Sequence, residues 1–323
     1  MEQRKGTVEG MGVIISVIML TYNRENFVAH AIESVLNQTF TDFEYIIVDN
    51  GSDDRSGAIA DRYAERDSRI RVIHRERGNI GSGRNTGLDA AKGEYIAFID
   101  DDDCCEPDFL DFLYHLVVDN DADVSICGAE DKVFDEKLIM TAEEALVELM
   151  WRKRYNMAFP TKMFRRELSK NLRFPEDGEY DDIALMYRLL ALSKRVAYHG
   201  LPKYKFYRHE NNNSAWVTNY SLLTPKILDE YCRTHRERTE WLSDLFPNAT
   251  AVWRYFECSF MISMVEKIHR LQIEGCEKPL EEMTRRLNEN AEEFLGSDLV
   301  LDLERSWIHR YIWNQEDGEG EYA

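Results

Sequence analysis

Short apolar runs rich in β-branched residues alternate with helically periodic segments through the first half of the chain, and this alternation restricts the fold more than any other feature. Residues 13–20, 43–48, 70–74 and 94–99 read as strands. Between them, residues 25–38 repeat Val28, Ile32, Val35 and Leu36 at helical spacing, and 56–66 and 85–91 also read as helices. Pro107 suits the opening of a helix that runs through residue 118, with Phe109, Leu110, Leu113, Leu116 and Val117 facing inward. A short strand follows at 124–127. Strand–helix alternation of this kind predicts an α/β fold with a largely parallel, doubly wound sheet.

The pattern changes after Gly128. Thr141 and Glu144 have the spacing of a capping box for a helix through residue 150. Residues 181–192 read as a helix with Ile183, Leu185, Met186, Leu189 and Leu190 apolar, and 196–199 and 204–207 as short strands. Long helical patterns occupy 220–313, broken near Pro247, 275–279 and Gly296. The expected organisation is a flexible N-terminus (1–11), an α/β domain (12–215), a helical region (216–315) and a disordered acidic tail (316–323).

Chemistry concentrates where the strands end. The run Tyr95-Ile96-Ala97-Phe98-Ile99 breaks into four consecutive aspartates, Asp100 to Asp103, at the rim where open α/β sheets bind ligands. Side-chain alternation would point Asp100 and Asp102 one way and Asp101 and Asp103 the other. Two carboxylates facing one point repel unless a cation lies between them, and hard divalent cations take oxygen ligands. The competing reading is a solvated acidic turn. After the first strand comes Thr21-Tyr22-Asn23-Arg24, and after the second Asp49-Asn50-Gly51-Ser52-Asp53. Tyr22 offers a plate for stacking and Asp49 an acceptor for a base N–H; the alternatives are a half-buried aromatic and a turn aspartate bonded to its own backbone. The dinucleotide signature GxGxxG is absent after the first strand. Glycines at 78, 81 and 83 follow the third strand instead, where a glycine-rich turn carrying Arg84 could admit a ligand closely and offset phosphate charge.

Composition excludes some partners. With 40 Lys plus Arg against 60 Asp plus Glu, the net charge is −20. Nucleic acids and anionic lipid surfaces call for the opposite sign, and an anionic substrate would need a local cation. The six cysteines form no CxxC pair, which fits a reducing cytoplasm. Adjacent Cys104 and Cys105 cannot easily share one metal and read as packing residues. No stretch has the length of a membrane helix, and the first residues lack the apolar core of a signal peptide.

Taken in order, these motifs resemble glycosyltransferase family 2. The resemblance runs from residue 13 to about 214. It includes Ser16-Val17-Ile18 through Thr21-Tyr22-Asn23-Arg24, Ser34 to Phe40, Ile47-Val48-Asp49-Asn50-Gly51-Ser52, Gly81 to Gly87, and Lys92-Gly93-Glu94-Tyr95-Ile96 into Asp100-Asp101-Asp102-Asp103 and Pro107. It implies a GT-A fold, Rossmann-like, with a helical C-terminal extension. Thr21, Tyr22, Asn23 and Asp49 then match positions that hold the nucleobase and ribose of a nucleotide-sugar, with Arg24 on the same donor side. Arg84 matches a position near the donor diphosphate. Asp100 and Asp102 match the Asp-x-Asp motif, Asp102 binding Mn²⁺ or Mg²⁺ directly and Asp100 facing ribose and metal, while Asp101 contacts donor sugar or ribose. Two departures are Asn50, where a second Asp is common, and Asp101, where a small residue is usual.

The segment from Phe174 to Ile183 resembles the family's acidic pair, with Asp182 aligned to the catalytic base and Asp181 in place of the usual Glu. Inversion by direct displacement needs such a base at the acceptor hydroxyl. Without the resemblance, Asp181-Asp182 would read as favourable charge at a helix N-terminus. Tyr207-Arg208-His209-Glu210 and Ser214 resemble the end of the catalytic region, giving Arg208 a phosphate and His209 a metal or diphosphate contact; otherwise both are surface residues. Trp216 reads as an acceptor-sugar platform or as interdomain packing.

The expected activity is therefore metal-dependent, inverting transfer of a hexosyl or N-acetylhexosaminyl group from a UDP-sugar to a glycan, lipid-linked or protein-linked acceptor in glycan biosynthesis. The rivals are a nucleotidyltransferase and a non-catalytic protein that binds nucleotide or glycan or scaffolds a complex. The aromatic segment 307–313 reads as core, as a homo-oligomer interface or as a peripheral membrane contact.

Overall fold

An interior strand of the sheet, β1 (Ile15–Thr21), is buried on both faces, and the parallel part of the sheet is laid out around it. The computed structural model describes residues 12–130, 133–178, 180–209, 216 and 219–315. The chain divides into two compact units, Met1–Tyr207 and Arg208–Ala323. The expected flexible N-terminus, the acidic tail and the segment just before residue 216 lie outside the described residues.

In the first unit the strands are β1, β2 (Phe43–Asp49), β3 (Ile70–His74), β4 (Tyr95–Asp100), β5 (Cys104–Cys105), β6 (Val124–Ala129), β7 (Phe134–Met140), β8 (Lys162–Arg165) and β9 (Val196–Lys205). Their order is β3-β2-β1-β4-β8-β6-β9-β5, with β7 also on β9. The half built from β3, β2, β1 and β4 is parallel, as strand–helix alternation predicts. Beyond β4 the sheet is mixed: β8 runs antiparallel to β4 and β6, and β6 runs parallel to β9. The two short strands expected at 196–199 and 204–207 are one, because Gly200 stays paired to Phe134 of β7 and Pro202 to Gly128 of β6, across register shifts on either side of Gly128. Strands β5, β7 and β8 carry no sequence signal of their own; β5 has two residues, β8 four, and β7 has three consecutive charges, Asp135 to Lys137, between its apolar residues.

Residues 15, 17 and 19 of β1 face a core shared with α1 (Val28–Leu36) and α4 (Phe109–Asp119). Between these helices in sequence lie α2 (Ser56–Ala64) and α3 (Ile80–Ala90), and later α5 (Ala142–Trp151) and α6 (Asp181–Leu192). The capping box of α5 forms as the sequence predicts, with the Thr141 hydroxyl accepting from the Glu144 N–H at 3.3 Å and Glu144 accepting from the Thr141 N–H at 2.8 Å.

Helix α3 corrects the reading of the glycines. They do not form an open turn: Asn79 caps a helix that begins at Ile80, its side chain accepting from the Ser82 N–H at 2.8 Å. Gly83 and Gly87 let that helix lie directly on Leu20 and Ile18 of β1, where added Cβ atoms would come within 2.3 and 2.4 Å. A Cβ on Gly81 would meet the Pro175 carbonyl oxygen at 2.0 Å. Gly81→Ala is therefore expected to destabilise the unit by about 1–3 kcal/mol, as overpacking does. Urea unfolding tests this, and an unchanged midpoint would mean that the 174–178 segment moves aside freely.

In the second unit, Thr224 caps α7 (Pro225–Leu245) and is followed by α8 (Thr250–Leu271), α9 (Glu277–Leu295), α10 (Asp302–Trp307) and a π-helical turn at Ile308–Ile312. Trp216, Trp253, Tyr255, Phe256, Ile308 and Ile312 are buried. Trp216 sets its ring edge-on to Tyr231 at 4.9 Å, a packing contact inside its own unit. Among the described residues no helix is long and apolar enough to cross a membrane.

Candidate active site

Parallel register brings the ends of the first four strands level. Thr21 pairs with Asp49, Asp49 with His74, and Leu20 with Asp100. The polar turns that follow these strands therefore share one rim, where parallel sheets place their ligands.

The turn after β1 is tied to the turn after β2 by side chains from both. Asn23 adopts a left-handed conformation with φ 53°, which Asn tolerates. Its carboxamide oxygen accepts from the Asp53 N–H at 2.9 Å, and its own N–H donates to the Ser52 hydroxyl at 3.1 Å. The Arg24 N–H donates to the Ser56 hydroxyl at 2.7 Å. Asp49 is buried and accepts from the Ser52 N–H at 3.0 Å through Oδ1, while Oδ2 lies 2.9 Å from His74 Nδ1. Asn50 explains its own departure from the expected aspartate. Its amide donates to the Gly78 carbonyl at 2.9 Å and its oxygen accepts from the Gly78 N–H at 3.2 Å, a reciprocal pair that a carboxylate cannot make. The Arg77 guanidinium lies 4.6 Å above the Tyr22 ring, so one face of that plate already carries a cation.

The aspartates do not alternate as an extended chain would. Strand β4 ends at Asp100 and the chain turns at 101–102. Asp101 and Asp102 consequently share Arg24, whose Nε is 3.8 Å from a carboxylate oxygen of each. Asp101 also accepts from the Tyr22 N–H at 3.1 Å. Asp103 turns inward and accepts from the Tyr204 hydroxyl at 2.8 Å and the Tyr207 N–H at 2.7 Å, while the same hydroxyl accepts from the Asp100 N–H at 3.1 Å. Tyr204 thus fixes the bend that aims the cluster.

Burial, with the neighbouring charge of Asp102, pushes Asp101 up to about 7. Asp100 is pushed up to about 6 by burial, opposed by Arg84 and reinforced by Asp182 and Asp102. Asp103 rises to about 8, again first through burial and then through Asp100. Burial is the first cause of each shift, and the like charge of neighbouring carboxylates adds to it. Among the described residues no group of three or more His, Cys, Asp or Glu side chains encloses a metal position. One or two carboxylates at a strand end fit a cation of the magnesium type, whose remaining ligands are water and phosphate oxygens.

Arg84 joins this cluster to the acidic pair 98 residues further on. Its guanidinium pairs with Asp182 through Nη1 and lies 3.1 Å from Asp100 through Nη2. The rings of Phe174, Phe98 and Phe159 surround it at 5.5, 5.7 and 6.0 Å. Helix α3 also positions the segment that leads into α6. Asn79 donates to the carbonyls of Pro175 and Gly178, both at 3.1 Å, and Asn85 exchanges bonds with Phe174 at 2.9 and 3.0 Å. Asp182 thereby reaches the rim from the first turn of α6, with Asp181 as that helix's first residue.

The structure therefore brings together Thr21, Tyr22, Asn23, Arg24, Asp49, Arg84, Asp100, Asp101, Asp102 and Asp182 within the first unit. Arg208 and His209 are the first residues of the second unit. Sequence reasoning passed over His74, although its position at the end of β3, level with Asp49, was legible once the strands were placed. It also missed Tyr204 and Arg77, which no local pattern distinguishes.

A family model for glycosyl transferase family 2 matches residues 16–188, more than half of the chain. Glycosyltransferase GlyG of Streptococcus pneumoniae is 32% identical over 208 residues, covering 58% of this chain and 68% of that protein. The uncharacterized glycosyltransferase EpsJ of Bacillus subtilis is 37% identical over 178 residues, covering 51% of this chain and 52% of that protein. The chain thus spans between about half and two thirds of the length of these relatives. Among solved structures, S. aureus TarS 1-349 in complex with UDP-GlcNAc superposes with a TM-score of 0.69 at 19% identity, over 94% of this chain and 92% of that one. The mannosyltransferase PcManGT of Pyrobaculum calidifontis, in complex with GDP-Man and Mn²⁺, gives 0.53 at 16% identity, over 95% and 89%. At such identities the structural likeness speaks for the GT-A fold alone. With the family model covering the strand ends and the acidic pair, the chain belongs to glycosyltransferase family 2.

Proposed function

We propose that the protein is an inverting, metal-dependent glycosyltransferase that moves a hexosyl or N-acetylhexosaminyl group from a UDP-sugar to a glycan acceptor, free, lipid-linked or protein-linked. One observation carries this reading: Arg84 holds Asp100, at the donor rim, and Asp182, the candidate base, on a single guanidinium. Donor-side and acceptor-side carboxylates of one displacement reaction would have to be neighbours in this way. The UDP-GlcNAc bound by TarS supports the choice of donor.

Tyr22 and Asp49 would take the nucleobase, Tyr22 by stacking on the ring face away from Arg77 and Asp49 by accepting the base N–H. Thr21, Asn23 and Arg24 shape the same pocket. Asp102, with Asp100, would hold Mn²⁺ or Mg²⁺, and that ion would stabilise charge on the departing diphosphate. The Mn²⁺ bound by PcManGT is consistent with this. Asp101 would face the donor sugar or ribose. Arg84 is buried and doubly paired, so its first effect is to orient the two carboxylates; direct contact with phosphate would require it to release one of them. Asp182 would take the proton of the acceptor hydroxyl. Free cysteines and the acidic surface fit a reducing compartment such as the cytoplasm, with no nucleic-acid partner. The helical unit is proposed as the place for homo-oligomer or peripheral membrane contacts.

Family membership sets the nucleotidyltransferase aside, and the presence of both Asp102 and Asp182 argues against a binding-only protein. If the nucleobase assignment holds, Asp49→Ala will weaken UDP binding by roughly tenfold or more, the value of a hydrogen bond to a charged group, and narrow the preference for UDP over GDP. Calorimetric titration with both nucleotides is the test. Equal affinities in wild type and variant, with the same ranking, would place the base elsewhere.

A further inference from the structure

Asp49 is held from two sides, and the second side has no part in the reading above. His74 stands between two carboxylates: Nδ1 is 2.9 Å from Asp49 Oδ2 and Nε2 is 3.0 Å from Asp61 Oδ1. A neutral imidazole has one N–H and one lone pair, so it can satisfy only one of these carboxylates. The imidazolium donates to both. The backbone is cut to fit the arrangement, since a Cβ on Gly57 would stand 2.5 Å from Asp49 Oδ2 and 3.2 Å from His74 Cε1. Strand register supplies the rest by setting His74 directly beside Asp49.

We infer that His74, anchored by Asp61, is a positioning residue for nucleobase recognition: as the imidazolium it fixes the carboxylate that accepts the base N–H. This rests on the assignment of Asp49 to the nucleobase. The ring is half exposed, so it exchanges protons with solvent without unfolding. The groups facing it are Asp49 from β2 and Asp61 from α2. The adjacent Arg75 directs its guanidinium to the Ser82 hydroxyl at 3.0 Å. Hydrogen bonds from Asp49 first and Asp61 second hold the His74 ring above the usual histidine range. For a group raised in this way, the charged form dominates below the raised value and is lost as pH rises through it. Uracil affinity should fall in that same window.

The test compares UDP dissociation constants of wild type, His74→Ala, His74→Gln and Asp61→Asn, each with saturating Mn²⁺, across pH 5.5 to 8.5, a span of about three units around the ordinary histidine value. Dividing each variant's constant by the wild-type constant at the same pH removes titrations common to both, including those of Asp100 and Asp101. The expected result is a roughly tenfold loss for His74→Ala at low pH that shrinks as pH rises. His74→Gln, which keeps one donor, should bind UDP more tightly than His74→Ala and show no such pH dependence. Asp61→Asn should bind normally at low pH and shift the wild-type midpoint downward, a change that simple loss of packing would not cause. UDP affinities of the His74 variants equal to wild type at every pH, beside a weakened Asp49→Ala, would overturn this inference and leave the nucleotide assignment standing. Loss of neither would overturn both.

Discussion

Asp182→Asn is expected to lower the rate of sugar transfer by about 100- to 10,000-fold, the usual cost of removing a general base. UDP affinity should stay close to that of the wild type. The proton leaves the acceptor hydroxyl only as the transition state is approached, so the interaction is absent from the donor complex and its loss falls on turnover. Asparagine keeps the size of the side chain and can still accept from Arg84, and Arg84 retains Asp100. Thermal unfolding of the variant should therefore remain cooperative, and a folding defect would not imitate the kinetic one. Asp181→Asn is the control, since removing charge at the first residue of α6 costs about 0.3–1 kcal/mol of charge–dipole energy and no proton transfer. Near wild-type transfer by Asp182→Asn with an inactive Asp181→Asn would move the base by one residue. Activity in both would place it elsewhere.

The parallel half of the sheet was legible because apolar runs and amphipathic helices announce themselves locally. The run at 70–74 became β3 without adjustment, and the helix at 181–192 became α6. What was not legible depends on partners distant in sequence. Strand β8 has four residues and exists because β4 and β6 flank it. The Gly78–Asn85 stretch looked like a ligand-binding turn because its glycines were read by backbone freedom alone. The real constraint on Gly81 and Gly83 is the approach of Pro175 and Leu20. Much the same holds for the site. The carboxylates and Tyr22 stand at strand ends and could be named in advance, but alternation failed after Asp100 because the chain leaves the strand there. Asp103, to which the sequence assigns no role beyond facing the same way as Asp101, is a buried brace on Tyr204.

The second large effect concerns the cation. Wild-type protein should bind UDP tightly with Mn²⁺ or Mg²⁺ and weakly in EDTA, and Asp102→Asn should bind it weakly in both. The loss expected from the substitution is on the order of 100-fold, since removing even the outer partners of a metal site costs about 10- to 100-fold. The physical reason lies in the charge of the rim. The charge of Asp102 adds to burial in raising the proton affinity of Asp100 and Asp101, and Arg24 is shared between Asp101 and Asp102 at 3.8 Å. A diphosphate arriving at such a rim without a cation meets like charge on a protein whose net charge is −20. With a divalent ion bound, the same carboxylates would become the attachment point. Asp102→Asn removes one negative charge, so repulsion alone would predict tighter UDP binding in EDTA, whereas the cation role predicts weaker binding with metal present. The two effects have opposite signs and can be separated in a single titration series. Tight, EDTA-insensitive binding of UDP by the wild type would show that the diphosphate is held by protein cations instead, with Arg24 and Arg84 the first to substitute.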